Sequence, residues 1–354
     1  MKKLKYIVGG LIIVVILLAL FTKSSSPTIG VVIPLSGKSA SFGERVQRGV
    51  ELAAAETGIT PIFEDDKGEA PTVVTIVNKL ITIDKVKVII GTVKSDAMLA
   101  VAPITEKNKI ILFSPTAGAA QISQVGDFVF RNIETPTIHG AQDAEFFKNH
   151  NIKTVAVFTA NASNAQGYGN AFMENFRVIA STTYNQDDTD FRTIITKSLS
   201  LKPEGIFIGV ATAKDAGLLV KQIHELGFKG LIMTSVAADA KEFFDTAGAY
   251  AENTYVSTSF FDPTIEPSLS YNNKYKAKYG VDSDAFSANA YDATILLSLA
   301  LKNCKTNTEC IRDYLYNTQD YLGVSGLTTF DKNGDVIKPV AIKVAKGGKF
   351  ELVK

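Results

Sequence analysis

Residues 28–56 constrain the fold more than any other stretch of this chain. Residues 29–33 form a largely β-branched, apolar run that ends at Pro34, which is typical of a strand covered by helices on both faces. A loop of small and hydroxyl residues follows, and then a helical pattern from Gly43 that stops at Gly58. In a parallel sheet this loop lies where a strand ends and a helix begins, which is where ligands collect.

The amino terminus has the pattern of a membrane-directed segment. Three lysines precede an uncharged run at residues 6–21, which is about 24 Å long as a helix. We expect residues 1–22 to be a transmembrane anchor or signal segment and residues 23–27 a linker. Retention is favoured because no small-x-small cleavage site is evident and both cysteines lie beyond residue 300. The lysine bias predicts that the remainder is exported to the periplasm or cell surface.

The exported part, roughly 330 residues, is long enough for two cores, so two lobes are expected. The net charge of +1 gives no reason to propose a nucleic acid partner. Cys304 and Cys310 lie between two helical patterns. In an oxidising compartment they are expected to close a small loop worth roughly 2 kcal/mol, although two unpaired buried thiols remain the alternative.

Strand and helix patterns alternate along most of the chain, which predicts two open α/β sheets. After the first strand, a second strand is expected to end near Phe63, and further strands are expected at residues 86–90, 110–113, 155–158, 206–209 and 231–234. Helices are expected between them at residues 71–83, 96–107, 139–149, 168–177, 191–199 and 214–226.

The section at residues 267–318 is mainly helical and has no strands of its own. We expect it to cover the first sheet, so that lobe one comprises residues 28–134 and 260–328, and lobe two comprises residues 135–259 and 329–354. The chain would then cross between lobes near residues 131–136, 256–262 and 325–331, which makes a hinge with a cleft.

No catalytic constellation is present, so we expect neither enzyme activity nor a cofactor or metal. The three histidines are scattered, and there is no helical histidine pair or Gly-x-Ser-x-Gly turn. Glu64, Asp65 and Asp66 follow a strand, where a cation site or acid-base chemistry is the alternative to the favoured interpretation as solvated turn residues.

Short motifs occur along the chain from Thr28 onwards. They are Ile29-Gly-Val-Val-Ile-Pro-Leu-Ser-Gly37, Phe42-Gly43-Glu44, Gly49-Val-Glu-Leu-Ala53, Ile90-Gly91 with Ser95, Ser114-Pro115, Tyr168-Gly169, Tyr291-Asp292-Ala293 and Phe330-Asp331-x-x-Gly334. These motifs resemble type I periplasmic binding proteins, in particular the leucine/isoleucine/valine-binding receptors of ABC transporters. The resemblance covers the chain from Thr28 to its end, in the family's order and spacing.

The resemblance implies two Rossmann-like α/β lobes with parallel sheets joined by a three-strand hinge. It also implies a small molecule bound between the lobes and delivered to a membrane permease. We expect a monomer. A ligand-sensing ectodomain that acts through a separate membrane partner is the alternative function.

Site residues follow from the same resemblance. Ser95 corresponds to a hydroxyl that holds the ligand carboxylate, or else serves only as a helix cap. Thr116 and Ala117 match the segment that completes this clamp, while Gly118 stands where amino-acid binders commonly carry threonine. Phe42 corresponds to an aromatic wall, or else to core packing.

Tyr168 corresponds to an aromatic that closes over the ligand from the second lobe, or else is a surface tyrosine. Ser39 and Ser41 add hydroxyls at the cleft rim. Val236 occupies the position where amino-acid receptors pair an acid with the ligand ammonium. Asp239 either substitutes for that acid or caps a helix ending near Ala247. Because an unpaired ammonium is costly to desolvate, a carboxylate or amide-like solute is expected at least as readily as leucine, isoleucine or valine.

Overall fold

A computed structural model describes residues 26–353 of the protein. The predicted segment at residues 1–22 lies outside the described residues. Between residues 26 and 353, no helix combines the length and apolar character needed to cross a membrane.

Fourteen strands are present in the described part of the chain. They are β1 (Thr28–Ile33), β2 (Thr60–Asp65), β3 (Val88–Gly91), β4 (Ile111–Ser114), β5 (Val129–Arg131), β6 (Val155–Ala160), β7 (Val178–Tyr184), β8 (Gly205–Gly209), β9 (Leu231–Thr234), β10 (Thr254–Ser259), β11 (Tyr321–Gly323), β12 (Gly326–Thr328), β13 (Val340–Lys346) and β14 (Lys349–Leu352).

The α-helices alternate with these strands. They are α1 (Ala40–Thr57), α2 (Ala70–Thr82), α3 (Ser95–Lys107), α4 (Pro136–Asn149), α5 (Ser163–Asn175), α6 (Arg192–Leu199), α7 (Ala213–Glu225), α8 (Lys241–Ala247), α9 (Ser268–Tyr279), α10 (Ala285–Cys304) and α11 (Thr308–Tyr316).

The first lobe is built on a five-stranded sheet in the order β2-β1-β3-β4-β5, and every strand pair in it is parallel. Strand β1 is an inner strand of this sheet and is buried beyond its first residue, as its apolar run predicted. Helix α1 ends at Gly58, which takes the left-handed φ of 74° that glycine tolerates best. The order reverses direction between β1 and β3, which is the point where open α/β sheets bind ligands.

Helices α9 and α10 have no strands of their own and cover the first sheet. Helix α10 packs tightly on α1, because a Cβ added to Gly49 would lie only 2.2 Å from the carbonyl oxygen of Ser287. Leu296 and Leu297 join the same core as Val31 and Val50. A disulfide between Cys304 and Cys310 connects the end of α10 to α11, with Cα atoms 5.6 Å apart.

The second lobe is built on a seven-stranded sheet in the order β14-β13-β10-β9-β8-β6-β7. Strands β7, β6, β8, β9 and β10 are parallel and repeat the strand order of the first sheet, so a second reversal lies between β6 and β8. Strands β13 and β14 add to the β10 edge in antiparallel orientation. The predicted parallel α/β sheets are thus observed, with this antiparallel edge as an addition.

Several predicted boundaries are wrong. The sequence pattern predicts no strand at β5, β7 or β10, and the end of β10 falls within the crossing expected at residues 256–262. Strand β7 is half-exposed and mostly polar, and β5 has only three residues, so neither shows the continuous apolar run that marked the other strands. Helix α5 begins at Ser163 rather than near Tyr168.

A buried polar cluster lies where the chain passes between the sheets; we call it the hinge cluster. It consists of Glu134, Ser259, Asp292, Ser325 and Lys338. The Lys338 ammonium donates to Ser325 Oγ over 2.6 Å, and Ser325 donates in turn to Asp292. Ser259 Oγ donates to Glu134. Burial lowers the pKa of Lys338 and raises the pKa of both Glu134 and Asp292, so each charge depends on the others.

A second buried pair ties two of the crossings together. Arg131, at the end of β5, is fully buried. Its guanidinium donates to Asp335 over 2.5 Å and to the carbonyl oxygen of Ala119 over 2.7 Å. The backbones of Arg131 and Asp335 also form an isolated parallel bridge. The chain segments around these two residues are therefore held side by side.

Candidate functional site

A cavity of about 60 Å³ lies between the two sheets, at the carboxyl ends of their parallel strands. This volume corresponds to roughly four or five water-sized molecules and suits a small solute. Both reversals of strand order supply its walls. Its lining residues are Ser39, Phe42, Val93, Lys94, Ser95, Asp96, Thr116, Ala162, Asn164, Gln186, Ala211, Val236, Ala237 and Phe286.

Five of the residues predicted from sequence line this cavity, namely Ser39, Phe42, Ser95, Thr116 and Val236. Ser41 lines an adjoining outer cleft of about 940 Å³. Four other predicted residues, Ala117, Gly118, Tyr168 and Asp239, are not among the residues that line either space.

Ser95 is the first residue of α3 rather than its cap. Lys94 holds the cap position, and its side chain makes no capping hydrogen bond. The interpretation of Ser95 as an ordinary helix cap is therefore wrong. Its Oγ accepts the N–H of Ala119 over 3.1 Å, and within residues 26–353 its own O–H has no acceptor. A hydroxyl donor is thus free at the amino end of a helix, where partial positive charge collects.

The segment after β4 uses most of its polar groups internally. The Ser114 hydroxyl accepts the N–H groups of Thr116 and Ala117 over 3.3 and 2.9 Å. Thr116 Oγ1 donates to the carbonyl oxygen of Val93 over 3.1 Å. The prediction that the Ala117 main chain completes a carboxylate clamp is contradicted, because its N–H is occupied. Thr116 can offer a ligand only its acceptor lone pairs.

Tyr168 is fully buried, so its interpretation as a surface tyrosine is wrong. Its ring packs edge-to-face on His139, with centroids 4.9 Å apart, and burial raises the pKa of its phenol. The phenolic oxygen has no hydrogen-bond partner among the described residues. It lies beside Gly118, where an added Cβ would be 3.2 Å from it.

Among the described residues, none that lines the cavity from the second lobe is acidic. Val236 is buried and apolar. Asp239 accepts from Lys343 Nζ over 2.7 Å and from Thr258 Oγ1 over 3.1 Å, so a lysine already neutralises it. The helix-cap interpretation is also wrong, because α8 begins after Ala240. The Asp239 carboxylate is therefore paired with side chains of β13 and β10 and is not available to a ligand ammonium.

Phe42 takes part in both roles that the sequence allowed. It lines the cavity and also packs edge-to-face on Phe286, with centroids 5.7 Å apart. The Arg45 guanidinium lies 4.6 Å from the Phe42 ring centroid and 4.7 Å from that of Phe286, a favourable cation–π arrangement.

Polar contacts hold the lobes together across the cleft. Arg45 donates to the carbonyl oxygen of Asp239 over 3.1 Å. Lys38 pairs with Asp187, and the Ser163 hydroxyl donates to Asp96. The structure thus has both walls in contact, and a solute in the cavity would be enclosed by both lobes.

Sequence reasoning missed Lys94, Asn164 and Phe286, which line the cavity. Lys94 precedes Ser95 and has no carboxylate within ion-pair distance in the described chain. Its position in the loop after a buried strand was the available signal. Asn164 belongs to a turn of α5 that the sequence interpretation left outside the helix, and Phe286 comes from the helical section that covers the first sheet.

The acidic residues at the end of β2 have a structural role. Asp65 Oδ1 accepts the N–H groups of Leu35 and Lys67, each over 2.9 Å, and so fixes the loop after β1. Asp66 is buried rather than solvated, and burial raises its pKa to about 6. Within residues 26–353, no group of histidine, cysteine and acidic side chains is arranged to hold a metal ion.

The chain has clear relatives. Residues 26–349 match the sequence model of a family described as periplasmic binding protein. The Leu/Ile/Val-binding protein homolog 3 of Brucella melitensis is 25% identical over 330 residues, covering 88% of this chain and 89% of that protein.

Two solved structures are similar over nearly their whole length. A leucine binding protein of Thermotoga maritima superposes with a TM-score of 0.88 at 29% identity, covering 93% of this chain and 98% of the other. A branched-chain amino acid transporter substrate binding protein of Streptococcus pneumoniae, in complex with isoleucine, superposes with a TM-score of 0.86 at 28% identity, covering 93% and 99%.

Proposed function

Because the chain belongs to the periplasmic binding protein family, we propose that it is an extracytoplasmic receptor for a small carboxylate. In this proposal the solute binds in the cavity between the lobes and is delivered to the permease of an ABC transporter. The observation that carries the proposal is the free Ser95 hydroxyl at the amino end of α3, inside a cavity walled by both lobes.

The charge distribution favours an anionic head group. The first N–H groups of a helix lack intrahelical acceptors and favour negative charge. Lys94 adds a cation at the same end of the cavity. Among the described residues that line the cavity, the one acid is Asp96, which accepts from Ser163 across the cleft. A carboxylate near Ser95 would therefore meet a hydroxyl donor, a helix terminus and an ammonium.

The relatives' names point to leucine, isoleucine and valine as candidate solutes. Among the described residues, the second-lobe side of this cavity offers no carboxylate to a ligand ammonium, because Val236 is apolar and Asp239 is paired with Lys343. Leaving a charge unpaired on burial costs several kcal/mol. We therefore expect des-amino carboxylates to bind at least as tightly as the corresponding amino acids.

Calorimetric titration with branched-chain amino acids and their des-amino counterparts tests this proposal. Ser95→Ala should weaken the best ligand by roughly ten-fold to a hundred-fold, because a hydrogen bond to a charged group is worth about 1.5–3 kcal/mol. The matched control is Ser270→Ala, an exposed serine in α9, which should leave the affinity unchanged. Equal affinity in Ser95→Ala and the natural protein would place the carboxylate elsewhere, and loss of solute uptake on deletion of the protein tests delivery.

We also propose that residues 6–21 anchor the protein to the membrane after export, since this uncharged run follows three lysines. The native protein should then stay with membranes after a high-salt wash, and its amino-terminal sequence should begin at Met1. A mature terminus between Ser24 and Thr28 would overturn the anchor.

A further inference from the structure

Unsatisfied polar atoms converge on Gly118 at the inner end of the cleft. A Cβ added to Gly118 would lie 2.9 Å from Asn164 Oδ1 and 3.2 Å from Tyr168 Oη. Both oxygens are buried, and neither has a hydrogen-bond partner among residues 26–353. Leaving a buried polar group unpaired costs about 1–3 kcal/mol, so two such atoms at one glycine indicate that a group from outside the chain pairs with them.

The elements involved explain why this arrangement forms only between the lobes. Asn164 and Tyr168 are four residues apart in α5 and lie on one helix face. Gly118 follows β4 of the first lobe. Asn164 also lines the cavity, as does Thr116 two residues before Gly118. Gly118 therefore adjoins the place proposed for the carboxylate, and any side chain at position 118 would crowd Asn164 Oδ1 and Tyr168 Oη.

We propose that Asn164 and Tyr168 form a subsite for a hydroxyl group on the carboxylate ligand, so that the receptor prefers hydroxy acids. This inference rests on the proposed carboxylate-binding function.

The chemistry of the two atoms selects the hydroxyl. Asn164 Oδ1 is an acceptor, and the Tyr168 phenol is a donor that burial keeps protonated. A ligand hydroxyl can donate to the first and accept from the second. A keto oxygen has no hydrogen to donate and leaves Asn164 unpaired. An ammonium could donate to both oxygens, but it carries a charge that neither neutral side chain compensates.

Four probes with one carbon skeleton test the assignment by calorimetric titration: 2-hydroxy-4-methylpentanoate, leucine, 2-oxo-4-methylpentanoate and 4-methylpentanoate. The hydroxy acid should bind roughly ten-fold or more tightly than the des-amino acid, because a site built for a hydroxyl rejects the analogue that lacks it. Equal affinity of these two would overturn the inference and leave the carboxylate function standing. Failure of all four to bind would overturn the inference, and failure of Ser95→Ala to weaken any bound carboxylate would count against the proposed function.

Variants separate a subsite from a structural role. Asn164→Leu and Tyr168→Phe should each lower the affinity for the hydroxy acid by more than the affinity for 4-methylpentanoate, so that most of the roughly ten-fold preference between the two is lost. Asn170→Leu, at an exposed position of the same helix, is the matched control and should change neither. Unchanged hydroxy-acid affinity in both subsite variants would refute the subsite. If leucine binds best and Asn164→Leu weakens it, the subsite takes the ammonium and the hydroxyl assignment is wrong.

Discussion

Replacing Lys338 with methionine tests how the hinge cluster is held together. Lys338 is 5% exposed and lies among Asp292, Glu134 and Ser325, with its ammonium 2.6 Å from Ser325 Oγ. Asp292 accepts the N–H groups of Val324 and Ser325 over 2.9 and 2.7 Å. Removing one member of a buried ionic group costs about 3–5 kcal/mol, because the opposite charge stays buried without compensation.

We therefore expect Lys338→Met to lower the free energy of unfolding by about 3 kcal/mol at pH 8. The loss should shrink at pH 5. Without the cation, the folded-state pKa of Asp292, already raised by burial, rises further. A carboxyl group whose folded-state pKa is raised does not destabilise the protein below its unfolded-state pKa. It lowers the free energy of unfolding increasingly as the pH rises above that value.

Urea denaturation followed by far-ultraviolet circular dichroism measures this effect, since the chain has no tryptophan. Lys332→Met, an exposed position on the same crossing segment, is the control and should stay within about 0.5 kcal/mol. Adding Asp292→Asn to Lys338→Met should recover part of the loss, because one of the two carboxylates that Lys338 compensates is then neutral. A loss below about 1 kcal/mol, or a double variant no more stable than the single one, would refute the reasoning.

Three further predictions concern stability. Burial raises the pKa of Asp143 to about 8 and lowers that of His139 to about 3. Their effects on the free energy of unfolding oppose each other between roughly pH 4 and 6.5, so this free energy should fall by about 2 kcal/mol only from pH 6.5 to 8. Asp143→Asn should flatten that decline, as measured by urea denaturation. Opening the disulfide with Cys304→Ala should cost about 2 kcal/mol, and the same variant should lose the sensitivity of Tm to reductant; equal reductant sensitivity would contradict this. Gly140→Ala should lower Tm although alanine favours helices, because the added Cβ would lie 2.6 Å from the Cβ of Ala171 and overpacking costs about 1–3 kcal/mol. An unchanged Tm would contradict this and show that α4 and α5 can separate without cost.

Local patterns predicted most elements and the edge of the sheets where the cavity forms. The apolar run at residues 231–234 and the helix stop at Gly58 appear as expected, since buried strands and glycine caps depend on neighbouring residues in the chain. Placing ligand residues in the loops after strands also follows from sequence, because parallel strands all end at the same edge. Ser39, Phe42, Ser95 and Val236 line the cavity for this reason.

Only tertiary structure decided which polar groups in that cavity are free. Asp239 is neutralised by Lys343, which is 104 residues away in sequence, and the Ala117 N–H is taken by Ser114. Asn164 reaches Gly118 because two separate sheets bring their strand ends together. Sequence spacing reports which side chains share a helix face or a strand end, whereas hydrogen bonds between distant segments depend on packing distances that no local pattern contains.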